Sequence, residues 1–270
     1  MPDEPPVWNG KGPDPWMPER LAAFLDAAMA EARMFRAFWR FLRDWIGLVR
    51  DRMRESRYDP TVVPALIPAW WDAMTEYAEH DIVPTMEQGY ERVTGEAYSL
   101  DGRALAVARA MERRNLLARV ADEVYQRVQT EVAKAVAVGT SGEALAAIIE
   151  AIFDYTGTPY WQNRATVIAR TETLSALNGG RFDGHVWTAN RLGGPFERVW
   201  VATFDTRTRE SHRKAEGQRA ALDGAFAVGD PPSMLRWPGD PMGPPEETIQ
   251  CRCTTILVRP GQNINIARRA

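Results

Sequence analysis

The chain has 270 residues, 45% of them apolar, 26% charged and 10% aromatic, a profile that excludes a mainly disordered or collagen-like protein. Its net charge of −3 argues against strong binding of nucleic acid by the chain as a whole. The longest run without charge, residues 60–71, holds three prolines and falls well short of the roughly 20 apolar residues of a membrane-crossing helix, so no membrane partner is expected.

Residues 1–18 carry six prolines together with Trp8 and Trp16, the composition of an extended arm whose indoles suit docking on a partner. Asp3 and Glu4 stand where a secretory leader carries basic residues, so synthesis and residence in the cytosol are expected. From Glu19 onward, Leu21, Leu25, Ala28, Ala32, Phe35, Trp39, Leu42, Ile46, Val49 and Met53 recur at steps of three and four, which predicts one long helix with a heptad stripe. Phe38, Phe41 and Trp45 widen the apolar face beyond what one helix hides alone, so with Phe35 and Trp39 they are expected to bind a partner or a second copy. Another face carries Arg36, Arg40 and Arg43. A solvated surface is its simplest reading, and weak, sequence-independent contact with DNA is the alternative.

Pro60, Pro64 and Pro68 break the chain, and a second helix is expected from about Ala69 to a kink or stop at Pro84. Leu105 to Val138 reads as another long helix ended by Gly139. Thr140 and Glu143 have capping-box spacing before a shorter helix that Gly157 and Pro159 close. Asn163 to Asn178 is helical again, with Gly179 and Gly180 as its stop. Beyond Gly193, Gly194 and Pro195 the pattern changes: residues 196–204 alternate as a strand does, 254–258 make a second strand, and a Pro/Gly-rich run, 229–245, lies between. The predicted class is α+β, with an arm at 1–18, a long-helix body at 19–138, a small α+β module with a short sheet at 139–260, and a basic tail at 261–270.

Candidate chemistry clusters in the last third. Cys251 and Cys253 sit one residue apart, a spacing that strains a disulfide between them, so they are thiols or metal ligands. In an extended segment the C-x-C pattern turns both sulfurs to one side. With His212 they supply three of the four ligands of a tetrahedral zinc, with Asp205 or Asp240 as a fourth. Buried structural thiols without a metal are the simpler reading, so no cofactor is the default and zinc the alternative. Asp205 and Arg209 are expected to hold the loop after the first strand through charge-assisted bonds, and Arg170 and Glu172 to pair across the module boundary as architecture. The hydrolase, zincin, Walker and dinucleotide-binding signatures do not occur, and His80 and His185 stand isolated on helical stretches, so no catalytic residue is assigned.

These residues also fall into an ordered set: ARTE at 169–172, Asn178, WVATFDTRTRESH at 200–212, Gly217, PGDP at 238–241 and CRC at 251–253. The set resembles the phage head morphogenesis family, that of phage Mu protein F and the SPP1 minor head protein, over about residues 140–258. Gln250 departs from the Asn common before C-R-C in that family. The resemblance implies a minor structural protein of a tailed-phage head, present in few copies in the virion head at the portal vertex and in the host cytoplasm during assembly. Portal protein, other head proteins or further copies are its implied partners, and packaged DNA a weak one. The alternative is a metal-binding enzyme or effector module. The chain stops soon after the CRC strand, so the toxin or enzyme domains sometimes fused behind this module are not expected.

Overall fold

A computed structural model describes residues 17–154, 160–203 and 206–262. The body is made by α1 (Met17–Glu55), two 3-10 turns at residues 60–66, α2 (Ile67–Tyr77), α3 (Val83–Thr94), α4 (Leu100–Ala137) and α5 (Gly142–Phe153). A 33-residue helix, α6 (Tyr160–Leu192), follows and leads into β1 (Glu197–Val201). The rest comprises α7 (Glu210–Ala215), β2 (Arg219–Ala221), β3 (Phe226–Val228), β4 (Ser233–Leu235), α8 (Pro245–Thr248) and β5 (Thr254–Val258). β1 lies at the centre of an antiparallel β2-β1-β5 sheet, and β3 and β4 form a separate hairpin. The class is α+β, and among the described residues the strands lie in the C-terminal part.

In the described part of α1 the expected heptad positions Leu42, Ile46, Val49 and Met53 are buried, but ahead of them the buried stripe departs from the heptad. Ala30, Met34, Phe38, Leu42 and Ile46 are at most 1% exposed and follow each other at steps of four. Such a row is the ridge that packs when helices cross at an angle, whereas a coiled-coil seam alternates steps of three and four. Phe35 and Trp39 are half-buried instead, stacked with ring centroids 6.4 Å apart. The chain itself covers the aromatic face: Phe38 meets the rings of Trp70 and Tyr77 edge-on, and Trp45 lies 5.2 Å from Trp70. Phe38 and Trp45 therefore belong to the body's own core and are not free for a partner; Phe35, Trp39 and Phe41 keep partial exposure. Three buried indoles of the body donate their N–H groups to carbonyl oxygens, Trp45 to Leu66, Trp70 to Leu117 and Trp161 to Ile152.

Two signals read as breaks do something else. Pro84 does not end the helical run: a π-helical turn, Ala78–Ile82, joins α2 to α3, and Pro84 falls in the first turn of α3. Gly179 and Gly180 do not stop α6. They lie buried in its interior, and a Cβ on Gly180 would run into the Met86 carbonyl, just as one on Gly89 would run into that of Leu177. The glycines are there for close approach of α3 and α6, the most extensively packed pair of helices in the fold. At α5 the cap is Ser141, whose Oγ accepts from the Ala144 N–H at 3.3 Å, one residue later than the Thr140 cap expected.

Gly180→Ala is expected to destabilise the protein by about 3 kcal/mol, because the added carbon can be accommodated only by separating the two backbones. On α1, where a Cβ on Gly47 meets nothing within 4 Å, Gly47→Ala is expected to stabilise by roughly 0.5–1 kcal/mol. Urea denaturation of both variants checks the contrast.

Candidate functional site

The C-terminal module is keyed into the body by one polar stripe. Glu172, Ser175, Asn178 and Arg181 follow at three-residue steps along α6, and all are buried. Arg113 of α4 pairs with Glu172 and donates to Ser175 Oγ, which in turn donates to the Gly239 carbonyl. Asn178 Nδ2 donates to the carbonyls of Pro238 and Cys253, both at 2.9 Å, while its Oδ1 accepts from Thr254 Oγ1 at 3.0 Å. Arg170, two residues before Glu172 and so on a different side of α6, pairs with Glu31 of α1 at 2.9 Å. Arg170 and Glu172 thus each reach back to a helix of the body.

Asp240, 1% exposed, builds the PGDP turn around itself. It accepts from the Arg236 backbone N–H, from the Arg236 guanidinium through both oxygens at 2.8 Å, and from the Met242 N–H at 3.1 Å. With those bonds made, its carboxylate has no capacity left for a metal, which removes Asp240 as the fourth zinc ligand.

His212, Cys251 and Cys253 do come together. His212 Nδ1 lies 3.3 Å from Cys253 Sγ and 3.7 Å from Cys251 Sγ, and each of the three residues is 2% exposed. The ring's other nitrogen, Nε2, is 3.0 Å from Glu247 Oε2, which also accepts from Ser211 Oγ at 2.8 Å. The carboxylate therefore fixes the Nε2 proton and turns Nδ1 toward the sulfurs. Cys253 is held below the usual thiol range by the hydrogen bond from Cys251, against the opposing effect of burial; Cys251 is pushed up by that same bond and by burial.

The turn before the cysteines is anchored on α6 and α7. Gln250 stands in the left-handed region at φ 57°, the conformation an Asn adopts more readily, and its N–H donates to Thr171 Oγ1 at 3.0 Å. Arg209 donates to the Ile249 carbonyl at 2.5 Å, and Thr203 Oγ1 to that of Arg252 at 2.6 Å. Arg170, Arg207, Arg209 and Arg252 line one open pocket of about 210 Å³ beside this turn. On α1, Arg43 pairs with Asp44 and Arg40 lies over the Phe41 ring, and Arg36 is exposed. Trp8, Trp16 and Asp205, with the roles expected of them, lie outside the described residues. Ser175, Arg113 and Glu247 were missed. The polar three-residue step within α6 was a readable sign of Ser175, whereas nothing local marks Arg113 or Glu247.

Fold and site define a helical body carrying a small α+β module locked to it by a buried polar stripe, with a His–Cys–Cys cluster at the module's centre. Residues 126–256 match the family described as Phage Mu protein F like protein. The chain is similar to the Minor head protein GP7 of Bacillus phage SPP1, 29% identical over 110 residues that are 39% of this chain and 33% of that protein. It is also similar to the NAD(+)--arginine ADP-ribosyltransferase EFV of Enterococcus faecalis (strain ATCC 700802 / V583), 30% identical over 144 residues, 52% of this chain and 27% of that protein. The chain thus spans about a third or less of the length of these curated relatives. No solved structure matches it.

Asn178→Ala is expected to lower stability by about 3 kcal/mol, since it leaves the Pro238 and Cys253 carbonyls without their donor and the Thr254 hydroxyl without its acceptor, and chemical denaturation measures it. A second test uses His185, buried on α6 and held down to about 3 from 6.5, first by burial and then by Arg198 and Arg181. Between pH 6.5 and about 3 the unfolded chain binds a proton that the folded protein refuses, so this contribution to stability is lost as the pH falls. Relative to His185→Gln, the wild type is expected to lose about 1.4 kcal/mol per pH unit across that window. Parallel urea titrations from pH 7 to 4 decide it, and equal slopes would refute it.

Proposed function

We propose that the protein is a minor structural component of a tailed-phage head, held at the portal vertex and exposed to the head interior. The observation that carries this reading is the family match over residues 126–256, to which the similarity to a minor head protein adds a named example. The chemistry of the module supports it. Glu172, Asn178, Asp240 and His212 are buried and committed to holding segments together, a use of polar groups that suits a rigid assembly part. Portal subunits are the main partner and packaged DNA a weaker one. For the DNA, the open pocket beside the Gln250 turn gathers four arginines, of which Arg170 is paired with Glu31 as Arg43 on α1 is with Asp44.

A second reading, an effector enzyme, draws on the similarity to the ADP-ribosyltransferase. The shared segment is only 27% of that protein, so most of the transferase lies outside what the two have in common.

One experiment separates the readings. Cross-linking with mass spectrometry in purified heads is expected to join this protein to portal subunits at substoichiometric abundance relative to the coat. Absence from heads, combined with consumption of NAD(+) by the purified chain, would replace the structural reading with the enzymatic one. Cross-links to coat protein alone would overturn the portal assignment.

A further inference from the structure

We propose that His212, Cys251 and Cys253 hold a zinc ion that ties α7 to the segment entering β5, with Glu247 as the residue that positions the imidazole from behind. Three observations carry it. The first is distance. Zinc bonds of about 2.0 Å to nitrogen and 2.3 Å to sulfur in a tetrahedron place N and S about 3.5 Å apart. The two N···S separations here, 3.3 and 3.7 Å, bracket that value, and all three ligand atoms lie within 4.8 Å of one another.

The second is orientation. Metal-bound histidines usually donate their other ring N–H to a carboxylate, which fixes the tautomer and raises the ring's basicity. Glu247 stands in that place, 3.0 Å from Nε2, and is itself oriented by the Ser211 hydroxyl. Each of the two sulfurs comes from a backbone that is held independently: the Cys253 carbonyl accepts from Asn178, and the Cys251 N–H donates to the Thr248 carbonyl at 3.2 Å.

The third is charge. Binding releases two thiol protons, and two thiolates with a neutral imidazole compensate the dication, so the loaded set is neutral and suits a site whose ligands are each 2% exposed. Soft sulfur with imidazole selects zinc over magnesium or calcium, which take oxygen donors. Among the described residues the cluster supplies three ligands, which leaves the fourth position to water or to a side chain outside them.

Elemental analysis of the full-length protein, purified reduced and without chelator, is expected to give one equivalent of zinc. After chelation, cobalt(II) alone is expected to produce a thiolate-to-cobalt charge-transfer band, and zinc to restore the melting temperature that chelation lowers. Glu247→Gln is expected to weaken zinc affinity about 10- to 100-fold while leaving one equivalent at saturation. Cys251→Ser with Cys253→Ser removes the metal and the cobalt band; if that variant does not fold, the cobalt spectrum of the wild type decides alone. Metal-free protein without a cobalt band would overturn the site, as would zinc retained in the double variant. Unchanged affinity in Glu247→Gln would overturn the positioning role.

Discussion

One side-chain amide sets how the two parts of this protein meet. Asn178 is fully buried, and it uses its NH₂ group on the Pro238 and Cys253 carbonyls and its oxygen on Thr254. Those partners lie on the PGDP loop and on the strand that follows the cysteines, so a single residue on α6 fixes both against the body. No residue of other shape can make the same bonds, and each group left unpaired in the interior costs about 1–3 kcal/mol. Neither the Asp240 turn nor the cysteine segment has a sheet neighbour that would place it otherwise, since β5 pairs with β1 only from Thr254 onward.

The same helix has to satisfy two incompatible neighbours. Toward α3 it presents glycine, because Gly180 packs against the Met86 carbonyl and Gly184 would bring a Cβ to 2.9 Å from that of Val93. Toward the module it presents Ser175 and Asn178, which need partners rather than space. A backbone that packs closely on one side gives the other side a fixed position, and hydrogen bonds depend on position far more steeply than apolar contacts do. The glycine face thus makes the polar face effective, although the two share no atom contact.

Legibility in the sequence followed the range of the physics. Long helices and the β5 strand were readable because periodicity is local: β5 falls at residues 254–258 as expected, and α1 runs through Glu55. Gly179–Gly180 was misread because a glycine pair looks the same whether it ends a helix or admits a neighbouring one. Only the presence of α3 separates the two. Phe38 was misassigned to a partner for a related reason, since the residues covering it, Trp70 and Tyr77, come from a helix whose position the sequence does not disclose. At the site, His212 and the two cysteines were found because their residue types carry chemistry wherever they stand. Glu247 was not, because a glutamate in a Pro/Gly-rich stretch acquires its role only from the ring it faces.

The limits of the family match do not coincide with the limits of the core. The match begins at residue 126, within α4, and includes the whole of α6, yet α6 packs chiefly on α1 and α3, both outside it. Ile168, Ala169 and Ala176 share one buried cluster with Phe38, Leu42 and Val83. The module's own smaller cluster, centred on Trp200, Phe226 and the two cysteines, contains no residue of α6. Residues 126–256 therefore hold two structures of different standing: a sheet and loops with a core of their own, and a helix whose core belongs to the body. A chain cut ahead of residue 126 would keep the first and expose the apolar face of the second. The N-terminal helices are in this sense the cover that α6 requires, and the polar stripe passes that requirement on to the module.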